Sequence, residues 1–397
     1  MTGAAHWTAS WGAAVQPAHE EPSDPDGDWS RQGFANETVR QVVRLSVGGT
    51  KIRIRLSNAY GTRPLRIAGG TVARSDGGAK ARPGTLRALT FGGSPSTTVP
   101  VGRDVTTDEL LFPTANREEL AVSLRFDTST GPVTVHRFTT ATSYRAPGDH
   151  VWSTAVEDFT ESATHAWYYL TALDVLAEPP AGQDPSAIMV FGDSLFDGVG
   201  TRPGTDGRFS DKLMERLVAS RSPRGMVNAS LSGNSLLYDS PCYGPRGTSR
   251  FERELRDRTA IGTVFIHLGA NDIAMAAEGD TCLKNHRPVT VEQLITGHRE
   301  LIRVAHAHGV KAIGVTILPV LGAVFPFTDD AGDQVRQRLN HWIRTSGEYD
   351  EVVDAERAMS DPSTPNRSRP GYLSEDGLHP SDAGYLAISS EVDLSIL

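Results

Sequence analysis

The chain has 397 residues, more than most single domains contain, so we expect two domains, each with its own core. With 38% hydrophobic and 22% charged residues, the composition excludes a disordered or fibrous protein. The net charge of −9 argues against a nucleic-acid partner. No apolar run approaches the roughly 20 residues of a membrane-spanning helix, so we expect no integral membrane association.

The N-terminal half is rich in short strand-like runs separated by turn residues. Branched apolar residues recur at 39–45 and 51–56, and Gly48 and Gly49 between them predict a β-hairpin. Strands at this spacing predict an all-β, jelly-roll-like sandwich. The other strand-like runs lie at 65–73, 119–126, 133–138 and 167–173.

Two features of this half could bind ligands. Asp24, Asp26 and Asp28 could offer oxygen atoms to calcium, but their spacing departs from the helix-loop-helix calcium site and favours a solvated acidic loop. Several tryptophans could stack against sugars, although large aromatic side chains more often fill a core. These tryptophans are Trp7, Trp11, Trp29, Trp152 and Trp167.

A proline-rich break at 177–185 predicts a domain boundary, with a β-sandwich domain at 1–180 and a second domain at 186–397. In the second domain, apolar runs alternate with helical patterns, which indicates an α/β fold with a parallel sheet. Strands are predicted at 187–191, 226–231, 263–268, 312–318 and 351–354. Helices are predicted at 209–219, 250–258, 291–308, 334–345 and 381–394.

Small polar clusters follow these strands. Ser194 comes directly after the first strand, Gly233 after the second and Asn271 after the third. The carboxyl ends of parallel strands meet at one edge of a sheet, where ligands bind. Backbone N–H groups of Ser194 and Gly233, with the side-chain amide of Asn271, could stabilise the anion formed on an attacked carbonyl.

Asp376 and His379 lie three residues apart near the end of the chain. At this spacing the carboxylate can orient the imidazole, which could take the proton of Ser194 and make it a nucleophile. Taken singly, each candidate has a structural alternative, such as a helix cap, a turn or a surface histidine. Their joint order after successive strands favours a serine hydrolase site.

These blocks resemble those of the SGNH, or GDSL-type, hydrolase family: residues 191–195 (FGDSL), Gly233, residues 269–272 (GAND) and residues 376–380 (DGLHP). The resemblance implies a flavodoxin-like three-layer α/β domain that hydrolyses esters without a metal or other cofactor. The N-terminal half is similar to the β-sandwich of some secreted actinobacterial members, at residues 6–11 and 56–61. We therefore expect a secreted protein whose leader is absent from this chain.

Other residues are expected around the site. Cys242 and Cys282 both lie in loops leaving the same sheet edge, which favours a disulfide over two free thiols. The substrate pocket is expected to include Phe196, Tyr238, Tyr243 and Ile273, with Phe196 standing where many family members have threonine. Residues 319–330 could add apolar surface to the site or be a buried connector.

The sequence thus predicts a serine ester hydrolase for short acyl or acetyl esters of carbohydrates or small molecules. Three alternatives stay open: a phospholipase or longer-chain lipase, an acyltransferase, and a carbohydrate-binding protein in which the sandwich is the working part. The acyltransferase differs from the hydrolase only in the access of water to the acyl-enzyme.

Overall fold

The computed structural model describes residues 3–18, 28–159, 162–179, 182–275, 281–283, 286–324 and 327–397. They form two compact units: Met1–Pro185 with Pro223–Gly225, and Ser186–Ser222 with Met226–Leu397. Within the described ranges, no helix is long and apolar enough to cross a membrane.

The first unit contains short, mainly antiparallel strands. They are β1 (His6–Gly12), β2 (Glu37–Arg44), β3 (Lys51–Ser57), β4 (Leu65–Ile67), β5 (Gly69–Arg74), β6 (Arg87–Ala88), β7 (Thr97–Val99), β8 (Asp104–Thr106), β9 (Leu110–Leu111), β10 (Glu119–Phe126), β11 (Val135–His136), β12 (Ser143–Pro147), β13 (Ser162–Thr164), β14 (Trp167–Tyr168) and β15 (Leu170–Ala177). A 3-10 helix spans Glu157–Phe159.

Two antiparallel sheets account for most of these strands. One has the order β1-β15-β3-β8, with β9 also paired to β3, and the other has the order β13-β12-β2-β10-β5-β6. Apolar side chains from both sheets, such as Ile54 of β3 and Val122 of β10, belong to one buried core. The unit is therefore the predicted all-β sandwich.

The predicted hairpin at Gly48 and Gly49 is wrong, because β2 and β3 lie in different sheets. The two glycines instead allow close backbone approach where the chain passes between sheets. A Cβ atom would lie 2.2 Å from the Thr114 carbonyl oxygen at Gly48 and 2.5 Å from that of Leu176 at Gly49.

Among the tryptophans, the core interpretation is confirmed for Trp11, Trp29 and Trp167, which are buried, and wrong for Trp152, which is 61% exposed.

Asp24 and Asp26 lie outside the described residues. Asp28 accepts a 2.7 Å hydrogen bond from Arg137 Nε. No cluster with the residues to hold a metal ion occurs in the described part of the chain.

The second unit alternates strands and helices as predicted. Its strands are β16 (Ala187–Gly192), β17 (Met226–Asn228), β18 (Ile261–His267), β19 (Lys311–Val315), β20 (Glu351–Val353), β21 (Ser360–Asp361) and β22 (Thr364–Ser368). Its helices are α1 (Ser194–Asp197), α2 (Phe209–Ala219), α3 (Gly247–Arg256), α4 (Val291–Ala307), α5 (Asp330–Thr345), α6 (Ala355–Met359) and α7 (Asp382–Ser390), followed by a 3-10 helix at Leu394–Ile396.

The central sheet is parallel, with the order β17-β16-β18-β19-β20. Alternate residues of its buried strands face opposite helical layers. Ile188 and Val190 of β16 pack in one core with Phe209 of α2 and Tyr385 of α7, whereas the ring of Phe191 lies 4.6 Å from that of Phe251 in α3. The unit is the predicted flavodoxin-like three-layer α/β fold. The strand order reverses between β16 and β18, and ligands of such folds bind at this point.

Candidate active site

Ser194 lies at the carboxyl end of β16, which is the strand at the reversal point. Every residue of β16 is buried, so the strand is anchored on both faces. Asp193 caps the short helix α1, and its Oδ1 accepts a hydrogen bond from the Leu195 N–H at 3.1 Å. This cap turns the chain directly after the strand and leaves Ser194 partly exposed at the sheet edge.

Ser194, His379 and Asp376 form a continuous hydrogen-bonded row. Ser194 Oγ lies 2.8 Å from His379 Nε2, and His379 Nδ1 lies 2.6 Å from Asp376 Oδ2. An ionised carboxylate can only accept, so Nδ1 carries the proton and Nε2 is left to accept from the serine hydroxyl. The structure therefore brings these three predicted residues together in the order that the sequence analysis gave them.

Asp376 also orders the loop that carries the histidine. Its Oδ1 accepts from Ser374 Oγ at 2.7 Å and from the backbone N–H groups of Leu378 and His379 at 2.9 Å each. Partial burial opposes ionisation, but the hydrogen bonds from His379 and from these backbone groups outweigh it and hold the pKa of Asp376 well below its usual range. The carboxylate is therefore charged at neutral pH.

Gly233 lies in residues 232–237, which we name the oxyanion loop after the anion-stabilising role predicted for Gly233. The Leu231 N–H donates to the Gly192 carbonyl oxygen at 3.1 Å, which places the start of this loop beside the end of β16. Gly233 has a φ of +75°, and a Cβ atom there would lie 2.3 Å from Cγ of the Tyr243 ring. Only glycine fits this position without displacing the ring.

Asn271, which follows β18, is hydrogen-bonded to the same loop. Its Nδ2 donates to the Asn234 carbonyl oxygen at 3.1 Å. An amide nitrogen has two hydrogens, so Asn271 can donate a second hydrogen bond to a substrate oxygen. Asn234 is itself fixed, because its Nδ2 donates to the carbonyl oxygens of Tyr243 at 3.1 Å and Pro245 at 2.8 Å.

Arg250 is a site residue that the sequence analysis missed. Its buried guanidinium donates to Asn234 Oδ1 at 3.0 Å, to the Ala229 carbonyl oxygen at 2.6 Å and to the Gly192 carbonyl oxygen at 3.1 Å. The guanidinium therefore links the ends of β16 and β17 to the oxyanion loop by hydrogen bonds. No sequence pattern marks this role, because Arg250 is 16 residues away from Asn234 and is buried on α3 only in the folded chain.

Asp197 and Asp272, both buried, also bind the oxyanion loop. Asp197 Oδ2 accepts from the backbone N–H of Ser232 at 2.8 Å and from its hydroxyl at 2.6 Å. Asp272 accepts from the backbone N–H groups of Leu236 at 2.7 Å and Leu237 at 2.9 Å. Neither aspartate has a role that the sequence alone predicts, since no sequence pattern pairs it with that loop.

The expectation that Phe196 lines the substrate pocket is wrong. Its side chain is 0% exposed and stacks on Phe209 with ring centroids 4.8 Å apart, so it fills the core beneath α1. Ile273 is also buried, with 7% of its surface exposed. Tyr243 packs over Gly233. Tyr238 lines a surface cavity of about 660 Å³ together with Leu237, Thr248, Glu292, Gln293, Thr296, Gly297 and Glu300.

A disulfide joins Cys242 and Cys282, as expected. The segment 319–330 was predicted either to add apolar surface or to be a buried connector, and its described part contains an apolar residue of each kind. Val320 is buried, whereas Val324 is 75% exposed and its N–H donates to the Asp376 carbonyl oxygen at 2.9 Å. Phe325 lies outside the described residues.

Several solved structures are similar to part of this chain. Similar solved structures include an aryl esterase from M. smegmatis (20% identity over 52% of this chain and 95% of that chain, TM-score 0.40) and a carbohydrate acetylesterase from Sinorhizobium meliloti (18% identity, 51% and 94%, TM-score 0.39). A GDSL-like lipase from Bacteroides thetaiotaomicron has 17% identity over 53% of this chain and 87% of that chain, with a TM-score of 0.40.

No protein with a curated description matches the chain. The sequence profile of the GDSL-like lipase/acylhydrolase family matches residues 190–387, a range that includes Ser194, Gly233, Asn271 and His379. The second unit of this chain therefore belongs to the GDSL-like lipase/acylhydrolase family.

Proposed function

We propose that the second unit is a serine ester hydrolase that works through an acyl-enzyme. The observation that carries this proposal is the hydrogen-bonded row from Ser194 Oγ to His379 Nε2 at 2.8 Å and from His379 Nδ1 to Asp376 at 2.6 Å. This arrangement supplies a nucleophile, a base and a group that orients the base.

In the proposed reaction, Ser194 Oγ forms a bond to the ester carbonyl carbon while His379 Nε2 takes the hydroxyl proton. The oxygen that becomes negative accepts hydrogen bonds from the N–H groups of Ser194 and Gly233 and from the Asn271 side chain. His379 then protonates the departing alcohol as the carbon–oxygen bond breaks. Water, activated by the same imidazole, releases the acid and regenerates Ser194.

We propose short acyl or acetyl esters of carbohydrates or small molecules as the substrate class. Burial of Phe196 and Ile273 supports this choice, because it removes two apolar side chains from the expected acyl pocket. A longer acyl chain is the second candidate. It is favoured by two exposed apolar side chains. They are Val324, whose backbone N–H donates to the Asp376 carbonyl oxygen, and Met275, which is 43% exposed.

The proposed compartment is extracellular. The bond between Cys242 and Cys282 supports it, because such bonds persist in oxidising compartments and are rare in the cytosol. Mass spectrometry of the protein isolated without reductant from its native source would detect the linked peptides. Recovery of both thiols free would contradict this assignment.

Hydrolysis of p-nitrophenyl esters from acetate to palmitate tests the proposed function. We expect wild-type activity to be highest with the shortest chains and the Ser194→Ala variant to lose at least about 10⁴-fold in kcat. Ser249→Ala is the matched control, since this serine is exposed on α3 and should retain full activity. A fluorophosphonate probe should label Ser194. Equal activity of wild type and Ser194→Ala would refute the nucleophile, and a palmitate preference would favour the second candidate.

A further inference from the structure

Two buried carboxylates outside the Ser-His-Asp row bind the oxyanion loop on opposite sides of Gly233. On one side, Asp197 accepts two hydrogen bonds from Ser232. On the other side, Asp272 accepts the backbone N–H groups of Leu236 and Leu237. The chain is therefore hydrogen-bonded to a buried carboxylate both before and after Gly233.

Each carboxylate lies on a segment that carries another proposed anion-stabilising donor. Asp197 is three residues after Ser194 in α1, and Asp272 directly follows Asn271. The hydrogen bonds of these two aspartates thus connect the segments of Ser194, Gly233 and Asn271 to one another. Anion stabilisation depends on donors placed within a fraction of an ångström, so these connections set the geometry on which the proposed reaction depends.

The two hydrogen bonds at Asp272 favour an ionised side chain. Its two oxygens accept from different backbone N–H groups, Oδ2 from Leu236 and Oδ1 from Leu237. An asparagine there could accept only one of them, since its amide nitrogen is a donor that would face the other N–H group. The negative charge therefore serves the geometry of the loop.

That charge is unfavourable for the stability of the fold. Asp272 is 2% exposed, and burial raises its pKa to about 7, against the lowering effect of the Leu236 and Leu237 N–H groups. Asp193 faces it from the end of β16 and raises the pKa further by its like charge. Asp193 is hydrogen-bonded in turn to His267 Nδ1 at 3.0 Å. The oxyanion loop offers Asp272 only neutral N–H groups.

We infer that Asp272 is a positioning residue of the proposed esterase, which in its ionised form fixes Gly233 relative to Asn271, and that Asp197 does the same relative to Ser194. Neither side chain touches the substrate in this scheme. The inference rests on the proposed function, because it assigns the two carboxylates a role in that same site.

The pH dependence of stability reports on the charge of Asp272, whereas kcat compared with KM reports on its positioning role. The folded-state pKa of Asp272 is raised from 3.8 to about 7, so the folded state binds the proton more tightly than the unfolded state. The free energy of unfolding that Asp272 contributes therefore falls as pH rises from about 4 to above 7. Replacing Asp272 by asparagine removes this loss at alkaline pH while it impairs the loop.

The test compares Asp272→Asn with wild type in kcat, KM and Tm at pH 5.5 and 8.5, using p-nitrophenyl acetate. We expect kcat at pH 8.5 to fall about 10- to 100-fold while KM changes less than about threefold, as for misplaced transition-state donors. The Tm of the variant relative to wild type should be higher at pH 8.5 than at pH 5.5.

Asp333→Asn is the matched control, because Asp333 is a buried carboxylate of α5 that is bonded to Arg336 Nε at 2.6 Å. It should lower Tm at both pH values and leave kcat unchanged. If Asp272→Asn yields no folded protein, Ser232→Ala provides the second variant. It removes one hydrogen bond to Asp197, and kcat should fall about 3- to 10-fold without a matching change in KM.

An Asp272→Asn variant with wild-type kcat would overturn the positioning role and leave the esterase standing. So would a loss of kcat accompanied by the same loss of Tm at both pH values. A Ser232→Ala variant with wild-type kcat would overturn the positioning role of Asp197, whose hydrogen bond from the Ser232 hydroxyl it removes. Wild-type hydrolysis no faster than that of Ser194→Ala would overturn the proposed function, and the positioning role with it.

Discussion

Residues 374–379 carry the proposed base His379, and we name them the acid–base loop. This loop and the oxyanion loop, residues 232–237, lie in the same unit but are stabilised in different ways. The acid–base loop is organised from within, because Ser374, Leu378 and His379 all donate to Asp376. The oxyanion loop is bound from outside, by Asp197, Asp272 and Arg250. A change in a distant segment should therefore disturb the second loop more than the first.

The two central carboxylates show the same contrast in their ionisation. Both accept backbone N–H groups, yet the pKa of Asp376 is lowered, whereas that of Asp272 is raised to about 7. Asp376 is only partly buried and faces an imidazole that donates to it. Asp272 is fully buried and feels the like charge of Asp193. Hydrogen bonds alone therefore do not set the charge state, and burial and the neighbouring charge decide it.

The largest expected effect is that of Asp376→Asn, which tests whether the acid–base loop depends on its own carboxylate. Asparagine can donate to Nδ1 and favour the wrong imidazole tautomer, so we expect kcat to fall about 10⁴-fold. Steady-state hydrolysis of p-nitrophenyl acetate measures it. Glu375→Gln, at the exposed neighbouring position, should keep wild-type kcat. A loss under tenfold for Asp376→Asn would show that the imidazole is oriented by other groups.

Next in size is Asn271→Ala, which removes a donor that the oxyanion loop holds through the Asn234 carbonyl oxygen. We expect kcat to fall about 10²- to 10³-fold, the effect of deleting one donor to the developing anion. The same ester assay measures this loss. Asn366→Ala, an exposed change in β22, is the control. A kcat within threefold of wild type would exclude Asn271 as an anion donor.

Gly233→Ala tests the fit between the oxyanion loop and Tyr243. The added Cβ would meet the ring at 2.3 Å in a backbone conformation with a φ of +75°. We expect the free energy of unfolding to fall by about 1–3 kcal/mol and kcat to fall about 10- to 100-fold through misplaced donors. Urea denaturation and ester hydrolysis measure the two effects.

The double variant Gly233→Ala/Tyr243→Ala is the control for this clash. Gly233→Ala should lower the free energy of unfolding less in the Tyr243→Ala background than in wild type. Without the ring, only the backbone strain at position 233 remains. Equal losses in both backgrounds would mean that Tyr243 does not restrict position 233.

The sequence predicted the elements of the second unit well because their signals are local. Apolar runs and the polar residues after them marked the ends of the parallel strands. The structure places Ser194 Oγ 2.8 Å from His379 Nε2, although 185 residues separate them. The catalytic roles stay predictions. The rule that parallel strands end at one sheet edge accounts for the positions of Ser194 and Asn271, but it does not place His379, which precedes α7 and directly follows no strand of the parallel sheet.

What the sequence missed depends on contacts between distant segments. Gly48 and Gly49 carried a hairpin signal, yet sheet membership is decided by which strands pair across the fold, and β2 pairs with β10 and β12. The position of Phe196 next to the nucleophile suggested a pocket, but the α1 turn directs it into the core. Asp197 and Asp272 have no recognisable spacing to their partners in the oxyanion loop.

The smallest expected effect on activity comes from loss of the disulfide, which joins segments next to the oxyanion loop and to Asn271 and does not involve the acid–base loop. Cys242 and Cys282, 40 residues apart, join the segments that follow Gly233 and Asn271, and neither belongs to the acid–base loop. Loss of the bond in Cys242→Ser/Cys282→Ser should lower the free energy of unfolding by about 3–4 kcal/mol, as the loop length predicts. Because Asp197, Asp272 and Arg250 still bind the oxyanion loop, kcat should fall less than about tenfold, which is smaller than the effect of one lost donor.

Denaturation of wild type with and without reductant should reproduce the difference in stability, and fluorophosphonate labelling of Ser194 should persist in the double variant. A kcat loss as large as that of Asn271→Ala would instead show that the disulfide, and not the carboxylates, holds the oxyanion side in place.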